Sequence, residues 1–240
     1  MKLLGACVLT VLPLAAGTAA GQDAPATGHA GVVVKFSTLG FGFDVVAPVV
    51  PRLNVRAGFN LFGLNHDFET DGISLNGQVK MRSVAVRVDW FPTGGSFYVS
   101  PGVLLYNGNE LSATATVLGG QNFSLGDEDL FSNPANPIGG TANVSYSGAA
   151  PMLMFGRGNL LRGERRWSLP FEAGVVFSKA PKASLRLTGS ACDPNGLNCR
   201  SLASDAGLQR DVAEEERQIN DGLSLLRIIP VASIGFSYRF

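Results

Sequence analysis

The segment 227–240 reads RIIPVASIGFSYRF, and its alternation decides the fold. The even positions Ile228, Pro230, Ala232, Ile234, Phe236, Tyr238 and Phe240 are all apolar. The odd positions Arg227, Ile229, Val231, Ser233, Gly235, Ser237 and Arg239 are smaller, and charged at both ends. Successive strand residues point to opposite faces, so this is a strand with one apolar face and one small or charged face. An edge strand of a soluble sheet carries the same pattern, and the rest of the chain separates the two readings.

Of the 240 residues, 45% are apolar, only 16% are charged and 30 are glycine, with mean hydropathy +0.18. A soluble domain is nearer roughly a quarter charged. Past the leader there is no unbroken apolar run long enough for a membrane helix. A closed barrel reconciles these facts, because its lipid-facing and lumen-facing residues alternate and no segment looks greasy throughout. Lys plus Arg and Asp plus Glu balance at 19 each, so nothing suggests a nucleic-acid partner. At the amino end, Lys2, an apolar core over 3–16 and Thr18-Ala19-Ala20 make a secretory signal peptide over 1–20. Residues 21–28 form a leader, and 29–240 form the barrel domain.

Working back from the last strand, 190–225 is the longest connection. Within it Leu208, Val212, Ile219 and Leu223 recur at helical spacing, predicting an amphipathic helix over 205–221 with Glu214, Glu215 and Glu216 on a solvated face. Trp167, Leu169, Phe171, Ala173, Val175 and Phe177 face outward, and the parity runs on through Ala183, Leu185 and Leu187, which predicts one long projecting strand. Residues 143–156 form a weaker strand of unassigned facing, preceded by a polar connection over 119–141. The outward set of Phe97, Val99, Pro101, Val103 and Leu105 is extended by Leu111, Ala113, Ala115 and Val117. Earlier strands carry Val84 to Trp90, Leu53 to Leu61 and Leu39 to Ala47 at every second position. Val32, Val34 and Phe36 lie on the opposite parity, so the phase flips at Ser37-Thr38, through either a bulge or a tight turn. Barrels of this type have an even strand count, short periplasmic turns and long external loops. With a turn at the flip, the count reaches about eight. The expected fold is an all-β, antiparallel, up-and-down transmembrane barrel with one amphipathic helix in its last external loop.

Two resemblances support this. Ser233, Gly235, Tyr238 and Phe240 match the spacing of the carboxy-terminal insertion signal of bacterial outer-membrane barrels, which implies recognition by the barrel-assembly machinery and outer-membrane lipid as surroundings. Ser37-Thr38-Leu39-Gly40, Asp89-Trp90-Phe91-Pro92, Ser100-Pro101-Gly102 and Tyr106-Asn107-Gly108-Asn109, with the acidic helix, resemble a family of small, porin-like outer-membrane β-barrel proteins of Gram-negative bacteria. That likeness implies a fold and export through the periplasm to the outer membrane, with no catalytic, cofactor or metal residues to carry over. The A-type relatives place a peptidoglycan-binding domain after the barrel, and that anchoring role is not expected here.

Chemistry has few places to sit. The histidines are His29 and His66. Barrel phospholipases and lipid A deacylases resemble each other in placing a serine two residues after the histidine. His66 is followed by Asp67 and Phe68, and His29 by Ala30 and Gly31, so an enzyme is not expected and no cofactor is implied. Cys192 and Cys199 bracket a turn-prone Asp193-Pro194-Asn195-Gly196, which reads as a loop disulfide or, alternatively, two free thiols. Asp44, Arg56, Arg87, Asp89, Glu172, Arg227 and Arg239 share the inward parity. An eight-stranded barrel has room inside for side chains and little more. The charges therefore form either a packed ionic core or the lining of a narrow polar pore, with Asp44 expected beside Arg56 and Glu172 beside the Arg87 and Asp89 layer. The leading reading is a structural or surface-interaction protein, with a narrow passive channel as its alternative, and the partner of the external loops is left open.

Overall fold

The computed structural model describes residues 30–70, 73–126, 128–161 and 165–240. The expected signal peptide, the leader and His29 lie outside the described residues. In chain order the strands are β1 (Gly31–Ser37), β2 (Gly40–Val50), β3 (Leu53–Thr70), β4 (Ile73–Trp90), β5 (Phe97–Asn107), β6 (Glu110–Val117), β7 (Asn122–Leu125) and β8 (Glu128–Ser132). They continue as β9 (Ile138–Ser145), β10 (Ala150–Arg157), β11 (Trp167–Ser168), β12 (Phe171–Phe177), β13 (Lys182–Thr188), β14 (Ser190–Cys192) and β15 (Arg200–Ser201). The helix α1 (Ala206–Leu223) and the strand β16 (Ile228–Arg239) complete the chain.

Eight strands close into an antiparallel barrel in the order β4, β3, β2, β1, β16, β12, β10, β5, with β5 pairing back onto β4. The phase flip at Ser37-Thr38 is a tight turn and not a bulge. Ser37 pairs with Gly40, leaving Thr38 and Leu39 at the tip. Gly40 adopts φ +102°, a conformation that disfavours side chains. The Ser37 hydroxyl accepts from the Leu39 amide at 3.1 Å and donates to the Gly40 carbonyl at 3.0 Å, and this fixes the turn. The first strand then seals the barrel against the last, from Gly31 opposite Arg239 to Ser37 opposite Ser233. Outside, Phe36, Phe41, Trp90, Phe171, Ile234 and Phe236 are each half exposed or more. An apolar band of that size would drive association in water, and in a barrel it is a lipid-facing surface.

Three breaks mark the upper rim, and each corrects a longer strand expected from alternation. The strand β4 pairs with β5 from Ser83 to Trp90, then with β6 from Ile73 to Lys80. The switch is made at Gly108 and Asn109: the Gly108 amide donates to the Arg82 carbonyl at 2.8 Å, and the Asn109 side chain accepts from the Arg82 amide at 3.0 Å. Residues 146–149, with Gly148 at φ +85°, separate β9 from β10. Residues 178–181, ending in Pro181 with no amide hydrogen, separate β12 from β13. Leu111 to Val117 and Ala183 to Leu187 thus belong to an external sheet ordered β13, β9, β6, β4, β3. Alternation records the side a residue faces, and that phase survives a break that changes the neighbouring strand.

Above the rim, α1 begins one residue later and ends two later than its periodicity predicts. Its N-cap Asp205 accepts from the Leu208 and Gly207 amides, both at 3.0 Å, and these donors hold its carboxylate below the usual range. Leu208 and Val212 pack into a core with Leu125, Leu130, Ile138, Ala191 and Leu202. A small sheet ordered β15, β14, β8, β7 carries the Cys192–Cys199 disulfide, which closes around the Asp193 turn.

The acidic triplet divides between two tasks. Glu214 pairs with Arg217 on the exposed face. Glu216 turns to the outer edge of β13 and accepts from the Leu185 amide at 2.8 Å, while Asn220 one turn on takes both the amide and the carbonyl of Ala183, at 2.9 and 3.1 Å. An uncovered edge would offer unpaired backbone groups to other chains. Replacing both residues (E216A with N220A) is expected to speed hydrogen exchange of the Ala183 and Leu185 amides by roughly fivefold, from a loss of about 1 kcal/mol per bond. Unchanged exchange rates in the detergent-solubilised protein would show that the helix does not guard this edge.

Candidate functional site

The barrel interior is built in layers. Its middle layer is charged, and inward parity on neighbouring strands brings its members together. Asp44 on β2 receives Lys35 from β1 at 2.8 Å, Arg56 from β3 at 3.3 Å and Arg87 from β4 at 3.2 Å. Arg56 also grips Asp89 with two donors, at 2.6 and 2.9 Å, and reaches Glu172 on β12 at 3.2 Å. Arg87 meets Glu172 at 3.2 Å. Neutral donors add to these contacts: Tyr98 donates to Glu172 at 2.6 Å and Ser233 to Glu172 at 3.2 Å, and Ser100 takes the second oxygen of Asp89 at 2.6 Å. Arg56 lies over the Tyr98 ring, 5.5 Å from its centre.

Three cations (Lys35, Arg56, Arg87) face three carboxylates (Asp44, Asp89, Glu172), so the formal charges of this layer cancel. Asp44, Arg56, Arg87, Asp89 and Glu172 are each at most 3% exposed. Ions so removed from water persist only when paired and fully hydrogen-bonded, and this network meets that condition.

Apolar layers lie on both sides. Toward the rim, Leu39 from the β1–β2 turn packs with Leu104, Met152, Met154, Val176 and Val231. At the opposite end Leu160 and Leu161 enter beside Val33 and Val46. Those two leucines come from the connection after β10, which reads in sequence as a basic turn. The cavity between the charged layer and the rim-side layer, lined by Lys35, Arg87, Glu172 and Ser233 below and Leu39 and Met152 above, measures about 20 Å³. That is room for one water at most, not for a solute.

Two of the expected lumen charges stand apart from this layer. Arg227 is exposed: β16 starts one residue later, so strand parity does not govern its side chain, and its carbonyl accepts from the Ser178 amide at 2.8 Å. Arg239 is buried at the end of β16, opposite Gly31. Lys35, Tyr98 and Ser100 are members that the sequence reading does not include. Lys35 and Tyr98 do sit at inward parity between outward neighbours, so the signal is present in the alternation. Of the expected insertion-signal residues, Ser233 belongs to the network, Gly235 lies where a Cβ would crowd the Val34 carbonyl at 2.8 Å, and Tyr238 meets Phe240 edge-on at 5.5 Å. His66 is exposed on the external part of β3, edge-on to Phe68 at 4.3 Å.

No family model matches the chain, and no curated protein does. Among solved structures, CarO of Acinetobacter baumannii superposes with a TM-score of 0.55 at 21% identity, over 88% of this chain and 97% of CarO. CarO2 of the same organism gives 0.55 at 18% identity, over 88% and 98%. The fold is that of an outer-membrane β-barrel. A major outer membrane protein of Thermus thermophilus aligns over 88% of this chain and 99% of its own at 17% identity, but its TM-score of 0.33 carries no weight.

Proposed function

We propose that this chain is an outer-membrane structural or surface-interaction protein: a plugged barrel that holds an external sheet-and-helix body above the membrane. The observation that carries this reading is the interior itself, a neutral, hydrogen-bonded ionic layer between two apolar ones. A conducting pore needs hydrated charges along a continuous path, and here leucine and methionine side chains lie across it. The alternative is a narrow passive channel, which planar-bilayer recordings of the purified protein test directly. No conductance steps above background are expected, and reproducible steps that depend on Arg87 or Glu172 would overturn the plugged-barrel reading.

The same proposal places the apolar band in outer-membrane lipid and assigns no catalytic role. It also reads Ser233, Gly235, Tyr238 and Phe240 as the signal recognised by the barrel-assembly machinery. Exchanging Phe240 for serine is then expected to deplete folded, heat-modifiable protein from outer-membrane fractions. Wild-type amounts in those fractions would remove the signal from the account.

A further inference from the structure

The external sheet has two edges, and they are treated differently. Along β13 the α1 side chains Glu216 and Asn220 occupy backbone groups of Leu185 and Ala183. The other edge belongs to β3, which runs 18 residues from Leu53 to Thr70. A strand crosses the hydrocarbon in about 9–11 residues, so on the membrane placement proposed above the upper half of β3 stands clear of the lipid. Its pairing with β2 ends at Phe41 with Leu61, and among the described residues no strand lies along that edge from Phe62 to Thr70. Backbone groups along a strand point to its two sides in alternation, so this stretch offers about four amide and carbonyl pairs to a further strand. The space beside its lower part is a hollow of about 710 Å³, with Phe41 at its base.

The two faces of this edge differ. Phe62, Leu64 and Phe68 lie on one face, with His66 between the last two, and Leu64 and Phe68 are each about half exposed. The register sets Leu64 beside Val79 and Phe68 beside Leu75, and the same face continues through Leu111 and Val117 to Leu185. Over Val117 and Leu185 it is covered, in the core that α1 and the small sheet build around Leu208. Toward β3 it lies open, with Leu75 38% and Leu111 50% exposed. Asp67 and Glu69 are exposed on the opposite face, at the top of the edge. Lys80 and Arg82 are on that face too, but level with Gly63 and Leu61, below the acidic pair and one strand in.

We infer that the β3 edge docks an extended segment of another protein, which adds to the sheet antiparallel to β3 in the place that β2 leaves. Backbone bonds along 62–70 hold such a strand, and its side chains sort to the two faces. The segment carries apolar residues at every second position, which cover Leu64 and Phe68. Lysine or arginine on its other face, in its amino-terminal half, meets Asp67 and Glu69. A second copy of this chain does not fit, because β3 rises from the membrane in every copy and antiparallel pairing of two such edges would invert one barrel. The inference rests on the surface-interaction reading above and names its partner, but it does not need a closed lumen, so bilayer conductance and strand docking fail independently.

The test uses the purified protein in mild detergent and a synthetic peptide as long as the free edge. The peptide has valine at alternate positions, lysine at the polar positions of its amino-terminal half and threonine at the remaining ones. At saturating peptide, hydrogen exchange of the edge-directed β3 amides above Leu61 is expected to slow at least tenfold, with β13 unchanged. Fluorescence anisotropy of the labelled peptide should show roughly tenfold weaker binding when glutamate replaces lysine, and again when the edge-facing peptide amides are N-methylated. Leu64→Ser with Phe68→Ser should weaken binding by roughly tenfold. Asp67→Lys with Glu69→Lys should reverse the preference in favour of the glutamate peptide. Heat-modifiable gel mobility shows whether each variant is folded, and the N-methylated peptide tests the edge on wild-type protein in any case. Unchanged β3 exchange, binding indifferent to N-methylation, equal binding of the two charged peptides, or a sedimenting dimer whose β3 edge is protected without peptide would each overturn the inference.

Discussion

Replacing Arg56 with alanine is expected to lower the unfolding free energy of the barrel by about 3–5 kcal/mol. The loss does not fall evenly on its partners. Asp44 would keep Lys35 and Arg87, and Glu172 would keep Arg87, Tyr98 and Ser233. Asp89 would keep only the Ser100 hydroxyl among these contacts, a buried carboxylate with no cation against it. Urea unfolding in detergent micelles measures the effect. Removing the stranded charge as well, in R56M with D89L, should recover most of the loss, because two apolar side chains need no partners in this interior. A loss below about 1 kcal/mol for Arg56→Ala would mean that water reaches Asp89, and the dry-lumen reading would fail.

Gly58→Ala should be nearly as damaging, although it adds one methyl group. Gly58 lies on β3 opposite Asp44, and a Cβ there would collide with the Asp44 carboxylate and sit 2.9 Å from the Phe43 carbonyl. The carboxylate cannot swing aside without leaving Lys35, Arg56 and Arg87, which it joins. Overpacking alone costs about 1–3 kcal/mol, and the displaced ion pairs add to that. We expect a loss of about 3 kcal/mol in the same unfolding assay. A near-neutral result would show that Asp44 has a second conformation with partners of its own.

Much of this barrel is legible in residue parity. The Arg56–Asp44 pair follows from two inward residues flanking one short turn, and Glu172 falls beside Arg87 because both are inward at the same depth on opposite walls. Parity is less informative where depth and neighbour matter more than direction. It carries on through Ser178 to Pro181, where the strand changes partner, and it includes Arg227, which precedes the strand that would orient it. Leu160 and Leu161 are hidden for a different reason. A basic connection gives no sign that two of its residues fold back into the barrel mouth, since that depends on the hole left by Gly31 and Val33. Nor can the spacing of α1 assign Glu216 to a strand edge, because helical periodicity sorts apolar from polar faces without saying which polar residue finds a backbone amide.

The seam between β1 and β16 joins residues from opposite ends of the chain. Lys35 and Asp44 are nine residues apart and can meet as soon as their hairpin forms, whereas Arg87 and Glu172 are 85 apart and must wait for the sheet to curl. Pairings that distant are slow to form. A chain that has folded its hairpins but not met its own far end therefore turns a row of hydrated charges toward what will become the inside. On the plugged-barrel reading, water is the partner those groups hold until the seam forms, and drying the lumen becomes the final event in assembly.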